Sequence, residues 1–143
     1  MAQVQINAAE STFVLNGTSI TDFVEGDYIT ITPANELTTQ TNGANGSVNI
    51  NKRLDGDVAD VMFKVLKYSD ADVFMQNEIN QDSPTVFNGS IKQPFIRGGS
   101  DFVENHICEG GSITTKPTFT DNNQEGNNTV EYTIRFRSVT RLI

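Results

Sequence analysis

Between positions 129 and 137 the chain reads Thr-Val-Glu-Tyr-Thr-Ile-Arg-Phe-Arg, so Val130, Tyr132, Ile134 and Phe136 alternate with Glu131, Thr133, Arg135 and Arg137. Only an extended strand sends every second side chain to one face, and this one has a buried side and a side that is wet or meets a partner. A second segment, 57–68, places Val61, Phe63, Val65 and Lys67 on one face and Met62, Lys64, Leu66 and Tyr68 on the other. Both faces are largely apolar, which predicts a core on one side and a helix or a neighbouring subunit on the other. A third strand, 26–32, is rich in β-branched residues and stops at Pro33, which has no N–H to give a ladder.

Between the last two lies a polar stretch over about 35–55, centred on Thr38-Thr39-Gln40-Thr41-Asn42-Gly43-Ala44-Asn45-Gly46-Ser47. Long loops are usually functional or disordered. It reads either as a flexible hairpin tip or as an arm that orders against another copy of the protein through its Thr, Asn and Gln side chains.

The remaining segments repeat the strand-and-turn pattern. Short alternating runs occur at 4–7, 11–15 and 20–23, with the turn dipeptide Asn16-Gly17 between the last two. Ser69-Asp70-Ala71-Asp72 is a helix start, with Ser69 as N-cap and acids in the first turn, and Ala71, Phe74 or Met75, and Ile79 recur at helical spacing. That predicts one α-helix over about 70–81, ahead of Pro84. Further strands are expected at 85–87, 90–96, 102–108 and 112–120, with Asn88-Gly89 as a turn, Arg97-Gly98-Gly99-Ser100 as a break and Gly110-Gly111 as a stop. The fold class is mainly β: one domain over 1–143, a sandwich or barrel of short antiparallel strands with one helix and one long polar loop.

A chain of 143 residues can bury a core without staples, and its single cysteine, Cys108, rules out an internal disulfide and a cysteine-built zinc site. No apolar run is long enough to cross a bilayer, and the N-terminal residues lack the pattern of a signal peptide, so synthesis in the cytoplasm without membrane insertion is expected. The net charge of −8 has the wrong sign for gripping nucleic acid. It is unevenly spread: no lysine or arginine precedes Lys52, whereas Arg135, Arg137 and Arg141 fall in the last residues with no acid beside them.

Catalytic signals are weak. His106 and Cys108 share a strand face, but nothing supplies an orienting third group or an oxyanion pocket, so a core thiol beside a half-exposed imidazole is expected. The stretch 121–126 has a loose likeness to a calcium loop, yet Tyr132 stands where the bidentate glutamate belongs. No catalytic residue, metal site or cofactor is expected. The Asn-x-Ser/Thr sequons at Asn16, Asn45, Asn88 and Asn127 read as turn chemistry.

The succession Val14-Leu15-Asn16-Gly17-Thr18-Ser19-Ile20-Thr21-Asp22-Phe23-Val24-Glu25-Gly26-Asp27-Tyr28-Ile29-Thr30-Ile31 resembles the opening of the tail tube proteins of tailed bacteriophages. The likeness continues through Asn42-Gly43-Ala44-Asn45-Gly46-Ser47, then Asn51-Lys52-Arg53-Leu54-Asp55-Gly56, the strand to Tyr68 and the helix, and covers roughly 14–81. It implies a virion protein, made in the bacterial host, whose subunits form hexameric rings. The rings stack into a tube that conducts the genome and meets sheath, tape-measure and terminator or baseplate proteins; related tubes serve contractile injection systems, including type VI secretion.

Under that resemblance the polar loop is the inter-ring arm, with Leu37, Thr39, Thr41, Asn42, Asn45 and Val48 in contact, while Arg135, Arg137 and Arg141 pair with acids of a neighbouring subunit, away from the bore. DNA then passes through the lumen without specific binding. A carbohydrate-binding or adhesin module is an alternative class, but it wants exposed aromatics and the chain has no tryptophan. A terminator or baseplate protein of the same β fold is a second alternative.

Overall fold

The computed structural model describes residues 3–120 and 128–143. Its strands are β1 (Val4–Ile6), β2 (Thr12–Leu15), β3 (Thr18–Ile20), β4 (Ile29–Pro33), β5 (Thr38–Asn42), β6 (Val48–Lys52), β7 (Ala59–Leu66), β8 (Phe87–Arg97), β9 (Ser100–Ser112) and β10 (Thr129–Leu142), with one α-helix, α1 (Asp70–Ile79), between β7 and β8 and a single 3-10 turn at Ala8–Glu10. All but β5 and β6 join one antiparallel sheet, in the order β3-β2-β8-β9-β10-β7-β4, with β1 on the outer end of β8. The mainly-β fold with one helix is as expected from the sequence.

Alternation decides where the core lies. β10 puts Val130, Tyr132, Ile134 and Phe136 opposite Val65, Phe63, Val61 and Ala59 of β7. The sheet then curls, bringing Phe13 of β2 edge-on to Phe63 of β7 at 5.2 Å between ring centres, although four strand pairings separate the two. One core results, holding Phe13, Leu15, Phe63, Phe87, Tyr132 and Phe136. β3 and β4 do not pair with each other, so the curl stays open and sandwich-like.

Helix α1 starts as predicted: the Ser69 hydroxyl accepts from the Asp72 N–H at 3.3 Å, and the Asp72 carboxylate accepts from the Tyr68 N–H at 2.9 Å. It ends at Ile79 with Asn80 as C-cap, two residues short of the predicted end, and it buries Ala71 and Met75 in the core that β7 faces. The opposite face of β7 has Met62 and Lys64 half-buried and Leu66 exposed, and among the described residues no helix or second sheet covers it.

Several expectations need correction. Asn88-Gly89 is not a turn but a bulge inside β8, where a Cβ on Gly89 would lie 2.1 Å from the Val14 carbonyl oxygen. Gly110-Gly111 does not stop β9, which runs on to Ser112; a Cβ on Gly111 would meet the Phe136 ring at 2.5 Å. Both glycines clear room for a neighbouring strand, a need set by partners remote in sequence. The strand expected over 112–120 does not form: β9 ends at Ser112, and Pro117 has no N–H to offer a ladder. The strand expected at 20–23 lies instead at Thr18–Ile20, and Phe23 keeps a single bridge to Val65. The calcium-like stretch and the Asn127 sequon lie outside the described residues.

Candidate assembly surface

The polar stretch over 35–55 is the largest correction: much of it is ladder, not loop. β5 and β6 pair from Thr38↔Lys52 to Asn42↔Val48, closed by a turn in which the Gly43 N–H donates to Ser47 O at 2.7 Å and the Ser47 N–H donates to Asn45 Oδ1 at 3.2 Å. Gly46 takes a positive φ of 87°, which is why Asn45-Gly46 suits the turn. Below the arm, the Arg53 N–H donates to Leu37 O at 2.9 Å and the Ala34 N–H to Val58 O at 3.0 Å, so β4, arm and β7 form one long hairpin with an irregular waist. Gly56 fills that waist, since a Cβ there would sit 3.1 Å from the Leu37 Cα.

No residue of either arm strand is buried. Leu37, Thr39, Thr41, Asn42, Asn45 and Val48, singled out from sequence, all stand on this hairpin and are exposed. Sequence reasoning missed Ile50, 67 % exposed, and Leu54, fully exposed, although the alternation Val48, Ile50 was there to be read. The three arginines are elsewhere, on β10. Arg135 forks onto Asp60 of β7 (2.8 and 3.1 Å) and Arg141 onto Glu104 of β9 (3.1 and 2.7 Å), so both have carboxylate partners within their own chain. Arg137 is exposed on the same strand, and the Val139 N–H, two residues on, donates to Asp57 O at the foot of the arm.

Two other places carry polar chemistry. Cys108 is buried and its thiol is pushed up to about 11 by that burial, so it stays protonated at neutral pH. The His106 imidazole is held below its ordinary value, chiefly by burial, against the pull of Glu104. Beside α1, a cleft of about 440 Å³ is walled by Val73, Ile79, Pro117 and Phe119. Two of its polar lining residues, Asp72 and Gln76, are engaged by one buried hydroxyl: the Tyr132 hydroxyl donates to Asp72 and accepts from Gln76 Nε2 at 3.0 Å, and burial drives that hydroxyl's pKa well above its usual range. Lys67 Nζ lies between the two aromatic lining residues, 4.2 Å from the centre of the Phe119 ring and 5.2 Å from that of Tyr68.

Among the described residues no helix is long and apolar enough to cross a membrane. No protein-family model and no curated protein sequence matches the chain. Among solved structures, the chain is similar in fold, over 92 % of its own length and 90 % of the other's, to a chain of the cryo-EM structure of the anti-feeding prophage (AFP) baseplate, 6-fold symmetrised, with a TM-score of 0.51 and 11 % identity.

Proposed function

We propose that this chain is a structural subunit of a phage or phage-like tail, assembling with copies of itself into hexameric rings that stack as a genome-conducting tube. The observation that carries the reading is the arm: a two-stranded hairpin with no buried face, projecting from a well-packed body. An isolated hairpin of that kind is marginal in water, so its ordered form suits a surface laid on another molecule. The fold similarity to a baseplate chain supports a place in such a particle.

Charge suits the same role. Six copies at −8 each bring −48 to a ring, and a polyanion with about one charge per 1.7 Å of axis slides past such a surface instead of binding it. Sheath, tape-measure and terminator or baseplate proteins are the further partners this role entails. The protein has no catalytic task in this reading; it works by shape and charge. A baseplate component is the second reading, favoured by the identity of the similar structure; it differs in forming rings of limited copy number.

Negative-stain microscopy of concentrated protein tests the proposal: tube subunits give rings and hollow filaments, a baseplate component gives rings that do not stack. Deleting 38–47 is expected to leave a folded monomer by circular dichroism that no longer polymerises. Normal tubes from that deletion overturn the role of the arm.

A further inference from the structure

Among the described residues, apolar side chains stand uncovered on two surfaces that matter for assembly. One is on the arm, where Val48 and Ile50 share a face of β6 and Leu37 and Leu54 flank its base. The other is a shelf where β1 meets the far ends of β8 and β9. Register sets Ile6 opposite Phe95 and Phe95 opposite Phe102, and the two phenylalanine rings stack with centres 5.6 Å apart. Phe102, Glu104, His106 and Cys108 alternate onto one face of β9, so the shelf prolongs the core face of the sheet beyond the core. β10 ends opposite Asn105, and the ends of β8 and β9 run on past it. There Val4, Ile6 and Phe102 are 53, 67 and 45 % exposed. A groove of about 620 Å³ follows the shelf, with Glu10 and Asp101 among its lining residues.

We propose that the shelf receives the arm of a second copy of this chain, with Val48 and Ile50 laid against Ile6, Phe95 and Phe102. The inference rests on the self-assembly proposed above and specifies its contact. Charge favours this occupant. From Leu37 to Leu54 the arm segment has no acid, and it carries Lys52 beside Ile50 and Asn51, whereas Glu10 and Asp101 border the groove; Arg97 stands at the outer end, opposite Val4. An acid-free segment that shows Val48 and Ile50 on one face meets this rim without like-charge repulsion. The arm does not fill the shelf of its own copy, since β5 and β6 pair only with each other. Arm and shelf stand at the same end of the strands, the arm from the β4 edge and the shelf towards the other edge, so donor and acceptor copies meet side by side. In a ring, every copy gives an arm to one neighbour and takes one from the other.

The test uses two crippled variants of the full chain. One lacks 38–47 and keeps its shelf; the other carries Ile6→Glu, at an exposed position, and keeps its arm. Each alone is expected to be monomeric by sedimentation, and an equimolar mixture to form a dimer and nothing larger, because one arm and one shelf remain. Oxidising a mixture of Ile50→Cys and Ile6→Cys chains should give a single intermolecular disulfide by mass spectrometry, Cys108 being buried. Should Ile6→Glu assemble as the wild type does, or the mixture stay monomeric, the arm–shelf contact is wrong while self-assembly stands. A wild-type chain that stays monomeric at every concentration overturns both; a wild type that stops at a dimer keeps the contact and removes the ring.

Discussion

The long hairpin that runs from Ile29 to Leu66, leaving the main sheet after Pro33 and rejoining it at Ala59, changes character halfway. Its lower half, β4 with β7, sets Ile29 and Ile31 against Phe63 and Val61 and lies on the core. Its upper half, β5 with β6, has the same antiparallel register and buries nothing. The hydrogen-bond ladder is common to both, and a ladder bond exchanged with water contributes only about 0.5–1.5 kcal/mol net. What separates the halves is apolar burial. The lower half is held by the body of the molecule, and the upper half is left bare by the described residues of its own chain, which is what the proposed contact with another copy requires.

The largest expected effect breaks the lower half. Phe63→Ala empties the centre of the core, where Phe13 and Tyr132 pack on the ring, and should cost about 3–5 kcal/mol in urea unfolding. Ile50→Ala in the arm should change monomer stability by less than about 0.5 kcal/mol. A large loss from the arm substitution would mean that the arm packs on its own chain.

A smaller effect separates the body of the molecule from the arm by pH. Burial holds the His106 imidazole below 6.5, so the folded chain prefers the neutral ring. The stability this ring contributes is full above the unfolded value and is lost as pH falls through 6.5 towards the lowered folded value. His106→Gln should therefore flatten the decline of melting temperature below pH 6.5. From Leu37 to Asn51 the arm holds no titratable side chain, so deleting 38–47 should leave that decline unchanged.

The smallest change is read without any substitution. Amide hydrogens of β10 should exchange only through global opening, whereas those of β5 and β6 should exchange by local opening in the monomer and slow in the assembled form. Equal protection of arm and β10 in a monomer would contradict the contrast.

Much of the body was legible in the sequence because its signals are local. The alternation from Val130 to Phe136 named the buried face of β10, and Ser69 with Asp72 named the start of α1. The arm was placed as a surface element but read as loop, because Thr38 to Asn42 has no apolar alternation, and β6 shows it only in Val48 and Ile50. Backbone pairing across a five-residue turn orders the arm, and hydrophobic periodicity does not record backbone pairing. The shelf was illegible for another reason: Ile6, Phe95 and Phe102 look like ordinary core positions until the register shows that no opposing strand reaches them.

By itself the sequence determined that this chain is a β protein with one helix, an acidic surface and a polar projection at 35–55, since side-chain period, capping residues and charge act over a few positions. The tertiary structure alone decided that Gly89 and Gly111 make room for Val14 and Phe136, that Arg135 and Arg141 find carboxylates within their own chain, and that arm and shelf stay bare. Those outcomes depend on which strands become neighbours, and that is settled by one curl of the sheet around a shared core, not by any single segment.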